Sequence, residues 1–479
     1  MEKILNYIEG ELIEPQSNEY LDNTNPANGE VYSLVPKSNA KDAELAIEAA
    51  SRAFTQWSGL SKTERAEYLL KIAELIEENF EALALAETRD NGKPLKTSRM
   101  VDIPRSKENI EFFANEIHNF NSQEFDNQGA GDNTVSYEPL GVVTCISPWN
   151  LPLYLLTWKI APALISGCTV VAKPSEVTPM TAFLFSKICI QAGLPEGVLN
   201  IVHGLGGEVG DVLTRHPAVQ AVSFTGSTAT GKIIARNCAE TMKRVHLEMG
   251  GKNPNIIFAD CDFEKALSTT MRSSFANQGQ ICLCGSRIFV ERPIYEEFKI
   301  RFIDKILKLR QGNPEDESVH QGAVVSKDHY EKILSCLDVA KKEGGRFLTG
   351  GAAVKMEGEF SNGFYISPTL IEGLPFNCET NQTEIFGPVA TIMPFDLEEQ
   401  VISYANSTEY GLSATIWTED KVKAKRVASQ VKSGIVWINT WLLRDLRTPF
   451  GGMKESGRGR EGGLYILKFF SNIKNICFG

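Results

Sequence analysis

From Gly141 onward, short apolar runs alternate with longer stretches of helical spacing, and that alternation excludes most folds. Val142-Val143-Thr144-Cys145-Ile146 reads as a buried strand, 153–165 as a helix, 169–173 as a strand, 179–192 as a helix and 199–203 as a strand. Ala221-Val222-Ser223-Phe224 is the next strand, and Thr225 to Gly231 turns into a helix from Lys232. Strands separated by helices pair in parallel, with a ligand crevice at their carboxyl ends. A second alternating unit starts at 255–258 and runs through helices 263–278, 295–310 and 329–343 to a strand at 434–439. The expected class is α/β, with two Rossmann-like parallel-sheet lobes.

The preceding segment reads differently. Residues 6–14 and 30–35 are expected as short strands, and 40–54 and 62–89 as long amphipathic helices, the second opened by a Ser61-x-x-Glu64 capping box. Asn91-Gly92-Lys93-Pro94 stops that helix, and another runs through Asp102-Ile103-Pro104-Arg105 to about residue 118. Residues 121–133 are polar and turn-rich, and 134–140 reads as an exposed strand whose open edge needs a partner. A chain of 479 residues exceeds one ordinary core, so two or three domains are expected. It carries no internal repeat and no long low-complexity segment.

Composition narrows the partners. A net charge of -11 disfavours general affinity for nucleic acid or anionic membrane. No apolar run reaches membrane-span length, and the acidic N-terminal stretch lacks the signal-peptide pattern. None of the 10 cysteines forms a C-x-x-C pair, so no metal site is expected and a cytoplasmic chain with reduced thiols fits.

One of those cysteines stands apart. Phe275-Ala276-Asn277-Gln278-Gly279-Gln280-Ile281-Cys282-Leu283-Cys284 sets Cys282 among glycine and small polar residues, where packing explains a cysteine poorly. A thiol attacks as thiolate, which backbone donors, a helix N-terminus or a base must favour, and Gly279 could let N–H groups approach the sulfur.

Five further blocks flank it in order: Ser147-Pro148-Trp149-Asn150-Leu151-Pro152, Lys173-Pro174-Ser175-Glu176, Phe224-Thr225-Gly226-Ser227, Leu247-Glu248-Met249-Gly250-Gly251-Lys252 and Glu384-Ile385-Phe386-Gly387-Pro388. Together they resemble the aldehyde dehydrogenase superfamily over nearly the whole chain. The resemblance implies an NAD-binding domain from 1–120 and 141–249, a catalytic domain from 250–446, and a small β oligomerisation arm from 121–140 and 466–479 that pairs with a neighbouring subunit in a homodimer or homotetramer.

It also implies roles. Cys282 is the nucleophile, the Asn150 amide and the Cys282 N–H receive the oxyanion, and Glu248 activates water to hydrolyse the thioester. Lys173 and Glu176 address the adenosine ribose, so NAD is favoured over NADP, whose 2′-phosphate the carboxylate would repel. Gly226 and Ser227 open a helix toward the pyrophosphate, and Glu384 holds the nicotinamide ribose with Phe386 beside it. Ile146, Ser147, Trp149, Ser175, Gly206, Gly210, Phe224 and Gly250 complete the expected cofactor surface. Gly204-x-Gly206-Gly207-x-x-Gly210 is one residue too long for the dinucleotide fingerprint.

Asp102 to Arg105, Ile281 to Cys284 and Trp441 to Phe450 are most similar to the muconic semialdehyde dehydrogenase branch. That similarity implies a substrate with a carboxylate remote from the aldehyde, held by Arg105 and Arg444, whose guanidinium forks match two oxygens. 2-Aminomuconic semialdehyde is favoured, with 2-hydroxymuconic semialdehyde as the alternative. Either arginine could instead pair with a neighbouring acid. Rival readings are a coenzyme A-acylating dehydrogenase, which needs no Glu248, an inactive binding protein of the same fold, and Cys284 as nucleophile.

Overall fold

A computed structural model describes residues 1–127, 129 and 131–479. Positions 128 and 130 of the expected arm lie outside the described residues.

Two large sheets carry the chain. Across the first, the order is Gly457–Arg458, Arg244–Glu248, Val219–Thr225, Val142–Ile146, Thr169–Lys173, Leu199–Ile201, Asn6–Ile8, Glu11–Ile13. Its five central strands are parallel, and both flanks are antiparallel. The central strands are almost wholly buried, as parallel strands covered on both faces must be. Chain order reverses between Val142–Ile146 and Val219–Thr225, which makes a topological switch point there. Pairing aligns Ile146 with Lys173, Ile146 with Phe224, and Thr225 with Glu248, so the carboxyl ends stand in one row.

The second sheet runs Arg346–Thr349, Thr369–Glu372, Val389–Phe395, Arg287–Glu291, Pro254–Ile257, Ser413–Trp417, Ile435–Ile438, parallel except for its first pair. Only Met249 to Asn253 separates the end of Arg244–Glu248 from Pro254–Ile257. The chain later returns, and Gly457 pairs with Glu248 on the first sheet's edge.

Helices Lys62–Glu78, Ile103–Glu116 and Pro152–Ile165 pack together on the first sheet, with the Phe113 and Trp158 rings 5.1 Å apart. The Ser61 capping box forms: its hydroxyl accepts from the Glu64 N–H, and the Glu64 carboxylate accepts from the Ser61 N–H. The third small sheet has Asp132–Pro139 at its centre, Ser471–Phe478 and Gln123–Asp126 on its edges, and exposed Phe125, Ile473 and Phe478.

Several expected boundaries change. The stretch 62–89 is two helices, because Asn79 leaves the helical region at ψ 15 and its side chain caps the Leu75 carbonyl. Residues 6–14 form a hairpin turning at Gly10 and join the first sheet rather than standing before it. The helix from Phe263 ends at Phe275, and the polar 121–133 stretch contains the strand Gln123–Asp126. Residues 466–469 are helical and 470 is a buried helix cap; the last strand begins at Ser471.

Candidate active site and cofactor crevice

Cys282 is placed by a backbone reversal. After Phe275, Asn277, Gln278 and Gly279 take left-handed φ values of 50°, 53° and 70°, a strained run in which only glycine is at ease. A methyl on Gly279 would collide with the Gly387 carbonyl oxygen, so Gly279 brings the Glu384 to Pro388 segment against the cysteine block. The Asn253 amide then donates to the carbonyls of Cys282 (2.7 Å) and Cys284 (2.9 Å).

A cavity of about 220 Å³ opens over Cys282, walled by Trp149, Asn150, Gly226, Ser227, Glu384 and Phe386 among others. The Asn150 side-chain amide donates to the Gln280 carbonyl at 2.9 Å, which leaves its second N–H free of that bond. Cys284 is buried and does not line this cavity. Burial, then the nearby Glu384 and Glu248 carboxylates, pushes the Cys282 thiol well above its ordinary range, with Arg444 opposing. Desolvation thus holds the resting sulfur toward the neutral thiol, where the sequence reading has backbone donors, a helix N-terminus or a base favouring the thiolate.

Glu248 ends its strand beside this cavity, and its neighbours Met249 and Gly250 line the wall while its own carboxylate does not. The carboxylate turns toward Gly451, Gly457 and the His246 ring, whose Nε2 is 3.6 Å away. Among the described residues, neither carboxylate oxygen finds a hydrogen-bond partner. Burial and the Glu461 carboxylate raise its pKa well above the ordinary value, while Lys159, Arg460 and Arg444 pull the other way. Glu461 is held ionised by Lys159 at 2.9 Å and by the Trp158 indole at 2.6 Å. His246, pushed down to about 4 by burial, is neutral.

The residues expected to hold a cofactor divide between two cavities. Ile146, Lys173, Glu176, Gly206 and Gly210 line a second one of about 380 Å³ at the switch point, where Lys173 and Glu176 pair at 3.1 Å. Trp149, Gly226, Ser227, Gly250, Glu384 and Phe386 line the Cys282 cavity. Ser227 caps the helix Thr228–Ala239, whose first turn includes Thr230 on the second cavity's wall, so the N–H-rich helix start stands between the two. A methyl on Gly226 would meet the Phe224 ring, so Phe224 backs the wall from behind. Ser147 and Ser175 line neither cavity, and the Ser175 hydroxyl accepts from the Val177 N–H. Two chambers joined by a helix N-terminus fit an extended dinucleotide. Glu384 packs against Gly250 and accepts from the Gly251 N–H at 2.8 Å, and Phe386 adopts φ 60° with its ring edge-on to Trp149 at 5.2 Å.

Arg105 and Arg444 share a separate cleft of about 800 Å³. Arg105 already pairs with Glu108 at 3.1 Å. Arg444 lies over the Phe450 (4.1 Å) and Trp158 (4.7 Å) rings and donates to the Tyr154 hydroxyl at 3.3 Å. Phe450 and Cys282 each pack against the small apolar cluster around Trp437 and Trp441.

Sequence reasoning missed His329 and Lys332 on the Cys282 cavity, the Lys159–Glu461 pair behind Glu248, and Tyr154 between the arginines. The His329 ring lies tilted against Trp149 with centroids 4.9 Å apart, and its Nε2 is 2.7 Å from the Phe386 carbonyl oxygen. Among the described residues, no cluster fit to hold a metal ion occurs, and no helix is long and apolar enough to cross a membrane.

The family profile described as "Aldehyde dehydrogenase family" matches residues 12–476. The chain is 47% identical over 475 residues to a 2-aminomuconic semialdehyde dehydrogenase of Danio rerio, covering 98% of this chain and 97% of that protein. It is 44% identical to a 2-hydroxymuconic semialdehyde dehydrogenase of Pseudomonas sp. strain CF600, covering 100% and 99%. An NAD+ complex of an aldehyde dehydrogenase from Bacillus cereus superposes with a TM-score of 0.97 at 37% identity, covering 100% of this chain and 97% of that one.

The raised thiol pKa has a direct readout. Alkylation of Cys282 by iodoacetamide, followed by mass mapping, is expected to be slower than that of a free cysteine at pH 7 and to keep rising beyond pH 9, the thiol's ordinary value. A plateau at or below pH 9 contradicts the buried, neutral thiol.

Proposed function

Because the chain belongs to the aldehyde dehydrogenase family, we propose that it oxidises a carboxylated semialdehyde to the acid with NAD, 2-aminomuconic semialdehyde being favoured and 2-hydroxymuconic semialdehyde the second reading. The observation that carries this is the shared cavity of Cys282 and the Asn150 amide, next to the Glu384 and Phe386 wall.

Cys282 adds to the aldehyde carbon, and the thiol proton passes to solvent water as the new S–C bond forms and the carbonyl π pair moves onto oxygen. Charge develops on the former carbonyl oxygen, where the free N–H of Asn150 and the Cys282 backbone N–H receive it; losing one such donor costs about 3 kcal/mol in the barrier. Bound NAD supplies the acceptor for the hydride that leaves the thiohemiacetal carbon. Glu248, after turning from its position against His246 and losing its proton, takes a proton from the water that hydrolyses the Cys282 thioester. Glu176 beside Lys173 supports NAD over NADP, since a 2′-phosphate would face the carboxylate.

Arg444 and Arg105 hold the remote carboxylate and so aim the aldehyde at Cys282. Arg444 is the better placed, because its guanidinium faces rings rather than an acid, whereas Arg105 must exchange Glu108 for the substrate. The exposed edges of the small sheet support pairing with a second copy in a homodimer or homotetramer. Ten free cysteines support a reducing, cytoplasmic setting.

Four measurements test this reading. Glu248→Gln is expected to keep one rapid burst of NADH per site and to lose steady-state turnover by about 100-fold or more. In the parent, the protonated carboxyl cannot accept a proton, so thioester hydrolysis is expected to rise with pH with its half-point above 4.5, the ordinary value; an unchanged burst-to-turnover ratio in the variant removes Glu248 from the step. Arg444→Ala and Arg105→Ala are each expected to raise KM for 2-hydroxymuconic semialdehyde about 10-fold or more, while leaving KM for an uncharged aldehyde within about twofold. Equal effects on both aldehydes would show no carboxylate recognition. Deleting residues 471–479 is expected to give monomers by light scattering; an unchanged mass would place the subunit contact elsewhere.

A further inference from the structure

The helix-stopping Asn91-Gly92-Lys93-Pro94 motif points into the protein. Lys93 is fully buried, and its ammonium donates to the Asn150 backbone carbonyl at 3.0 Å and to Asp102 at 3.1 Å, with Glu87 at 3.5 Å. The same carbonyl accepts from the Asn277 amide at 3.0 Å and from the Asn91 amide at 3.4 Å, and Asn91 also donates to the Trp149 carbonyl at 3.0 Å. Three side chains from two parts of the chain thus converge on one oxygen, and the charged donor makes the strongest kind of bond.

An ammonium with no exposure has to have a reason to be there, because desolvation costs several kcal/mol unless its partners are well placed. Two carboxylates and a carbonyl are more than one ion pair requires. Gly92, left-handed at φ 83°, lets the chain turn from the helix Phe80–Asn91 so that Lys93 faces the Asn150 loop; a side chain there would press on the Ala323 carbonyl and Pro26. Asp102 lies at the start of the helix Ile103–Glu116, which carries Arg105. One ammonium therefore ties the loop bearing Asn150 to the helix bearing Arg105.

We propose that Lys93 is a positioning residue: by clamping the Asn150 carbonyl and Asp102 together, it fixes the Asn150 carboxamide toward the Cys282 cavity at a set distance from the helix that carries Arg105. It touches neither that cavity nor the arginine cleft, so it acts through Asn150. The proposal rests on Asn150 being the amide that receives the substrate oxygen. Misplacing such a donor by about 1 Å costs on the order of 100-fold in rate.

The test is a double-mutant cycle on the NADH burst rate with 2-hydroxymuconic semialdehyde and NAD. Lys93→Met is expected to slow the burst about 10- to 100-fold with NAD affinity unchanged, and to slow the Asn150→Ala enzyme by less than about twofold, because the group it positions is gone. A normal burst in Lys93→Met, or the same further slowing in both backgrounds, overturns the proposal while leaving Asn150 in its role. If Asn150→Ala alone bursts normally, the oxyanion assignment falls and the proposal with it. Should Lys93→Met not fold, Lys93→Met with Asp102→Asn removes both members of the closer ion pair and leaves Glu87, whose carboxyl burial already pushes up to about 8, protonated; the same outcomes decide.

Discussion

Parallel pairing in register is the constraint on which the site depends. Ile146, Lys173, Phe224, Thr225 and Glu248 are neighbours because four strands end level with one another, not because any of them attracts the next. A slip of one residue would turn each of these side chains to the opposite face. The buried valines and alanines of Val142–Ile146 and Thr169–Lys173 resist that slip, since both faces are covered. The five-residue link from Glu248 to Pro254 then sets the second sheet against the first, and Asn253 in that link fixes the cysteine loop.

Electrostatics at the site runs against ionisation. Cys282 and Glu248 are both held toward their neutral forms by burial, and a charged Glu248 adds to the Cys282 thiol's cost of ionising. Behind Glu248 lies a charged pair, Lys159 with Glu461, and a neutral imidazole 3.8 Å from Glu461. The resting protein thus holds the proposed nucleophile and the proposed base in forms that disfavour sulfur oxidation and idle proton transfer. Arg444 lowers Cys282, Glu248 and Glu461 alike.

Much of this was legible in the residues, for a definite reason. Strands buried on both faces read as unbroken apolar runs, so the central sheet strands stood out, and the blocks holding Asn150, Glu248, Cys282 and Glu384 carried a family resemblance that the comparisons bear out at the level of the family. The break at Asn79 was hidden because apolar spacing continues across it, and the reversal at Asn277 and Gln278 because asparagine and glutamine fit a helix in any local reading. Lys93 looked like punctuation, since nothing local shows that its ammonium reaches a carbonyl 57 positions downstream. Glu461 and Lys159, 302 apart, could not be joined from sequence at all.

The small three-stranded sheet has a consequence for how the molecule is made. Lys474 meets Glu138 across 336 positions, so Asp132–Pro139 emerges from the ribosome long before the strand that covers its flank. Throughout the synthesis of both large sheets that ribbon has only Gln123–Asp126 beside it, and its other side is open to any extended peptide. Until the last strand is made, an extended segment of another nascent chain would find an unpaired edge there to pair with.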